Sequence, residues 1–301
     1  MSRLSVMVVA AGAAALVAAP ASAQGVRQRL DTVFAFGNGA VDVRSVSGPI
    51  TITTWSRKEV KISAWIERGE IAADLSSSRV RLEAKSTRGR MGDHEFTLTV
   101  PVGTRVEAQA VSGDVGVRGT RADVAAESVS GDVRVDEAEG RIDLTSVSGD
   151  VVGERLSGTV MVESVSGEVR LRDITGDVSG ASVSGEVNVD GKLASLRLET
   201  VSGDLTYRGS MDARGRYALQ SHSGEVTMVL PADARADVTA KTFSGEIDSE
   251  FPMTMGGDGV RSRRDRMRFT LGGGNGASVD LETFSGTITL RKAGAKSPRE
   301  D

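Results

Sequence analysis

Eight carboxylates occupy one fixed place in the sequence, each directly after a Ser-Gly pair: Asp114, Asp132, Asp150, Glu168, Glu186, Asp204, Glu225 and Glu246. Oxygen ligands repeated at a constant interval could hold a ladder of cations, since Ca²⁺ takes about six to eight oxygens and serine hydroxyls stand close by. The same positions suit a solvated corner, in which Asp and Glu bond backbone donors and pair with Arg134, Arg170, Arg172 or Arg208. Two features favour the corner. Calcium-binding β-rolls use G-G-x-G-x-D nonapeptides, which the chain lacks. Asp and Glu also interchange here, which a tight coordination site resists. The expectation is no bound metal; a cation, if one bound, would use Asp114, Asp132, Asp150, Glu168, Glu186 and Asp204.

Arg261, Arg263, Arg264, Arg266 and Arg268 form the one dense basic cluster. It is the weak candidate for binding phosphates of an outer-membrane lipid or an anionic polysaccharide. The competing reading is a strand with Arg264, Arg266 and Arg268 facing water and Met267 and Phe269 turned inward. Trp55, Trp65 and Phe96 could form a sugar platform, but their irregular surroundings favour cap or core roles. His222 shares a sequence column with Val201 and Phe243, which makes it a stacking residue and not a ligand.

The search for catalysis is negative. The chain has no G-x-S-x-G elbow, no H-E-x-x-H and no phosphate loop. With 0 Cys a thiolate metal site and a cysteine nucleophile are excluded, and 2 His, 128 residues apart, leave little for His-based catalysis or a multi-His metal site. No cofactor motif is present. Lys+Arg 37 against Asp+Glu 41 gives a net charge of -4, which argues against a nucleic-acid partner.

The elements that carry these residues follow from an internal repeat. Val-Ser-Gly recurs with Gly at 48, 113, 131, 149, 167, 185 and 203, and from Gly113 to Gly203 the interval is constant at 18 residues. It then loosens to Gly224, Gly245 and Gly286. Within each unit apolar residues sit two apart, as in Val133/Val135 and Ile142/Leu144, the signature of half-buried strands. The eleventh position is always small (Ala122, Gly140, Gly158, Gly176, Ala194), as a second turn requires. One such unit cannot bury its apolar face alone, whereas stacked units share a continuous core. The expected fold is therefore all-β, a single-domain β-solenoid resembling a parallel β-helix, with coils of 18–21 residues. The 41 residues at 244–284 correspond to about two coils with a longer loop.

Arg3, an apolar stretch at 6–19 and Ala21-Ser22-Ala23 read as a secretory leader, cleaved before Gln24. The expected organisation is a signal peptide at 1–23, irregular coils and a cap at 24–110, regular coils at 111–243, C-terminal coils at 244–291 and a disordered tail at 292–301. No later segment is long and apolar enough to span a bilayer, so the expected location is the periplasm or the cell surface.

Gly48, Ile50, Thr51, Ile52 and Trp55, followed by Glu59-Val60-Lys61-Ile62, resemble the opening of a bacterial family labelled "putative adhesin". The serial Val-Ser-Gly-Asp/Glu-Val units and the closing Leu281-Glu282-Thr283-Phe284-Ser285-Gly286-Thr287-Ile288 are similar to it as well. The resemblance covers roughly residues 36 to 290. It implies an exported or membrane-tethered β-repeat domain and brings no catalytic residues. The functional expectation is a non-catalytic envelope protein, not an enzyme, whose repeats form a binding or scaffolding surface for an unidentified protein or glycan. The other reading is a carbohydrate-active β-helix enzyme with its site beside the 244–284 insert.

Overall fold

A computed structural model describes residues 8–9, 27–37, 39–87, 91–252, 266–274 and 276–294. Those residues form strands, turns and bends, with no helix among them. The chain divides into two compact units, Met1–Gly149 and Asp150–Asp301.

The repeat becomes a coil. In Val133–Ser148 the side chains of Val133, Val135, Ala138, Ile142, Leu144 and Ser146 are buried and their neighbours face solvent. In the first unit the regular coils lie in parallel register at the sequence period: Val115 beside Val133, Val124 beside Ile142, Ala126 beside Leu144. The second unit repeats this with Val151 beside Val169 beside Val187 beside Leu205. Like therefore stacks on like, and β-branched and Leu side chains fill continuous inward columns. Strand Leu205–Ser223 carries extra residues at one corner. There Tyr207 and Tyr217 fill the added width, fully buried, with rings 5.9 Å apart. The Tyr217 hydroxyl donates to the Leu193 carbonyl at 2.7 Å and accepts from the Asp212 amide at 2.8 Å.

The Ser-Gly corner is set by backbone contact. A Cβ on Gly131 would lie 2.4 Å from the Gly113 carbonyl oxygen, and one on Gly185 2.2 Å from that of Gly167. Gly185 also has φ +119, where L-residues are strained. The residue before Val-Ser-Gly is a buried hydroxyl in most coils. Ser128 Oγ donates to the Gly113 carbonyl at 3.0 Å and Ser221 Oγ to the Gly203 carbonyl at 3.2 Å, so each satisfies a corner oxygen of the preceding coil. The motif is an inter-coil joint.

The order of coils departs from chain order at an end of each unit. In the first unit Ala40–Ser47 lies between Arg105–Ser112 and Arg79–Lys85, and Ile50–Trp55 lies between Val115–Arg118 and His94–Pro101. Further strands run antiparallel: Glu59–Ile66 on His94–Pro101, Gln28–Ala35 on Glu59–Ile66, and Glu70–Leu75 on Arg79–Lys85. In the second unit Ala236–Ser244 skips a rung, and Ala277–Ser285 fills it, pairing with Leu205–Ser223 on one side and Ala236–Ser244 on the other. Ile288–Lys292 likewise lies between Val226–Leu230 and Ile247–Ser249. The 244–284 stretch is thus not two coils in sequence. Ala277–Ser285 occupies a rung already bracketed, and Arg266–Leu271 runs antiparallel along Ala236–Ser244.

Candidate binding surface

Alternation along each coil continues through the corner and reverses what residue type suggests. After Leu144 comes Thr145 outward, Ser146 inward and Val147 outward. The valine of each Val-Ser-Gly therefore faces solvent. In the first unit these are Val46, Val111, Val129 and Val147, each 38% to 48% exposed. In the second unit the column is Val165, Val183, Val201, His222, Phe284 and Phe243, in that order along the rungs. Phe284 is the middle of a three-ring stack, 4.9 Å from His222 with planes at 8° and 4.8 Å from Phe243 with planes at 5°. Only the interposed coil brings it there. Phe243, at 74%, is the most exposed large apolar side chain among the described residues.

The acidic residues stand beside this column and bond backbone. Asp114 Oδ1 accepts from the Asp132 amide at 2.9 Å. In the second unit Asp150 Oδ1 accepts from the Glu168 amide at 2.9 Å and Asp204 Oδ1 from the Glu225 amide at 2.7 Å. The Glu168 N–H, with Arg170 at 3.1 Å from Oδ2, holds the Asp150 carboxyl below the usual carboxylate range against partial burial. Arg170 also pairs with Glu168. Arg208 meets Asp190 at 3.5 Å, away from the acidic column. Among the described residues no group of three or more His, Asp or Glu side chains is placed to hold one metal ion.

Arg261, Arg263 and Arg264 lie outside the described residues. Arg266 and Arg268 fall in Arg266–Leu271, where Arg268 is exposed opposite Thr239 and Phe269 is buried opposite Val238. The aromatic trio of the first unit is dispersed. Phe96 is fully buried, whereas Trp55 and Trp65 are partly exposed, with Arg57 over the Trp55 ring and Arg27 over that of Trp65. Trp65 Nε1 donates to Glu95 Oε2 at 3.1 Å.

Sequence reasoning passed over the surroundings of His94. Its Nε2 lies 2.8 Å from Ser45 Oγ, and its Nδ1 3.2 Å from the Gly92 carbonyl oxygen. A shallow cleft of about 450 Å³ opens beside it, flanked by Trp65, Asp93, Glu95, Ser47 and Ser112. The Ser45–His94 contact lacks what a nucleophile pair needs. Ser45 is 4% exposed and also contacts the Gly48 carbonyl oxygen at 2.8 Å, and a carbonyl, not a carboxylate, faces Nδ1. His94 closes that corner, its ring bonded to Ser45 and its backbone against Gly48.

Parallel coils with like-on-like columns, flanked by antiparallel strands and carrying in each unit a solvent-facing apolar corner, define a β-solenoid repeat protein. The chain belongs to the Toastrack DUF4097 family, whose model matches residues 91–291, about two thirds of its length. It is also similar to three crystal structures. One is a "putative cell adhesion protein" from Clostridium sporogenes (10% identity; 88% of this chain and 100% of that one; TM-score 0.28). Another is a "putative adhesin" from Bacteroides fragilis (10% identity; 88% and 97%; TM-score 0.43). The third is a "putative lipid binding protein" from Parabacteroides distasonis (10% identity; 90% and 98%; TM-score 0.31). Likenesses this remote define neither a ligand nor a partner. No curated protein matches the chain.

Proposed function

We propose that the protein is an exported, non-catalytic binding protein of the cell envelope, and that the solvent-facing corner of its coils meets a protein or glycan partner. One observation carries this reading. Among the described residues eleven large apolar side chains are exposed; four of them form the corner column of the first unit and five belong to that of the second, with Val33 and Met161 elsewhere. Scattered exposed apolar groups are ordinary, whereas a contiguous line of them marks an interaction surface. The corner joint itself is made by the glycine and the buried hydroxyl, and the outward side chain is no part of it. Export is supported by the leader-like pattern at 1–23. A non-catalytic role is supported by carboxylates that sit one per coil on a solvated corner and cap backbone amides.

The test incubates the mature protein with cell-wall and capsular glycans and with envelope extract. Retention of a partner without turnover is expected, with the N-terminus at Gln24 in material recovered from the envelope. Glycan turnover abolished by changing a single acidic residue overturns the reading.

A further inference from the structure

The chemistry of the partner can be read from what flanks the ring stack in the second unit. Glu186, Asp204, Glu225 and Glu246 each follow by three residues a member of the corner column: Val183, Val201, His222 and Phe243. Three residues of chain reach at most about 11 Å, so each carboxylate stands close to its apolar partner. Among the described residues none of these four meets a lysine or arginine. On the other flank the carboxylates are neutralised: Glu199 pairs with Arg197, and Glu282 with Lys241 at 3.0 Å. The unbalanced negative charge thus lies along one side of the apolar line.

Glu186, Asp204 and Glu225 stand one rung apart and repel by about 1 kcal/mol per pair in water, whereas Glu246 lies two rungs from Glu225; among the described residues no lysine or arginine pairs with any of the four. A partner that brings cations relieves that repulsion and can place a positive group against the exposed Phe243 ring, a favourable cation–π arrangement. The strip also limits the partner's size. It is one side chain wide, and its four rungs Val201, His222, Phe284 and Phe243 span only about 14 Å at strand spacing. A stable interface between folded proteins buries about 800 Å² on each partner, far more than such a line offers. A short segment of chain fits it, and the folded face of a second copy does not.

We propose that this strip docks a polypeptide segment carrying lysine or arginine beside apolar side chains, with Phe243 and Phe284 as the apolar anchor and Glu225 and Glu246 as the principal counter-charges. The proposal rests on the reading that the corner column is a binding surface, and its test separates the two. The mature protein is titrated into labelled 16-residue amphipathic peptides built from Leu and Lys, from Leu and Gln, or from Leu and Glu. Fluorescence anisotropy is read at low and at high salt.

The Leu/Lys peptide should bind at least tenfold tighter than the other two, and added salt should weaken it. Phe243→Ala with Phe284→Ala should cost about tenfold, and Glu225→Gln with Glu246→Gln at least threefold. The control Glu70→Gln with Asp74→Asn, which removes the same charge from exposed positions of the other unit, should leave affinity unchanged. All variants are first matched to wild type by far-UV circular dichroism and thermal melting. Equal loss in the control, or no loss on removing Glu225 and Glu246, overturns the proposal. A Leu/Gln peptide bound as tightly, and lost with Phe243 and Phe284, overturns the basic partner while leaving the corner a binding surface. Self-association abolished by Phe243→Ala overturns it in favour of a second copy.

Discussion

Gly185→Ala tests the claim that the Ser-Gly motif is an inter-coil joint. The new Cβ would lie 2.2 Å from the Gly167 carbonyl oxygen and 3.0 Å from its carbon, both backbone atoms that no rotamer change can move. Alanine would also have to adopt φ +119. Such strained backbone costs about 1–3 kcal/mol, and forcing packed coils apart costs about 1–3 kcal/mol more. A loss of about 3 kcal/mol or more is expected. With a urea m-value of about 2 kcal/mol/M, the unfolding midpoint falls by about 1.5 M. The comparison is Gly116→Ala, the same substitution in the middle of a strand. Its Cβ would meet nothing closer than the Ile50 carbonyl oxygen at 3.9 Å. Restricting the unfolded chain there should stabilise the protein by about 0.4–1 kcal/mol and raise the midpoint. Urea unfolding followed by far-UV circular dichroism measures both. Shifts of the same sign and similar size at the two glycines would refute the joint.

Coil order is tested by cysteine pairs, since the chain has no cysteine of its own. Ser223→Cys with Ser285→Cys should oxidise to an intramolecular disulfide, because the two positions pair directly, whereas Ser223→Cys with Ser244→Cys should not, a rung lying between them. Acid should weaken the second unit through Asp150. Its folded pKa is depressed, so its contribution is present above about pH 4 and is lost as pH falls through the folded value; Asp150→Asn should flatten the urea midpoint between about pH 5 and pH 2. At the alkaline end burial pushes the Tyr207 and Tyr217 hydroxyls up, so their contribution is intact below about pH 10 and is lost above it, and Tyr207→Phe should reduce that loss. Millimolar Ca²⁺ should shift the melting temperature little and no more than Mg²⁺; a large calcium-selective rise, lost in Asp132→Asn with Asp150→Asn, would mark a metal site.

The coil interior is legible in the sequence because two signals coincide there. Val133/Val135 and Ile142/Leu144 alternate as strands, and they recur at a period that sets parallel register. The corner is harder to read. Its Val is the same residue type as the core columns, so composition does not reveal that Val147 faces solvent while Ser146 is buried. Alternation does reveal it, once carried past Leu144 to the corner. The interposed coil leaves no local signal. Residues 277–292 have the same strand pattern whichever neighbours they choose, and pairing is decided by long-range register. That choice is what places Phe284 between His222 and Phe243, so the ring stack was out of reach of the spacing even though the shared column of His222 and Phe243 was visible.

The central claim is that the corner column of the second unit is where the partner binds. Site-specific photo-crosslinking in the native host tests it directly. A photoreactive phenylalanine analogue replaces Phe243, whose exposure lets the larger ring be accepted, and in a second strain replaces Arg172, an exposed residue on the strand face of the same unit. Irradiation should give a discrete adduct from position 243 and none from position 172. An adduct of equal strength from 172, or none from 243 while the protein still retains its partner, would place binding elsewhere on the molecule.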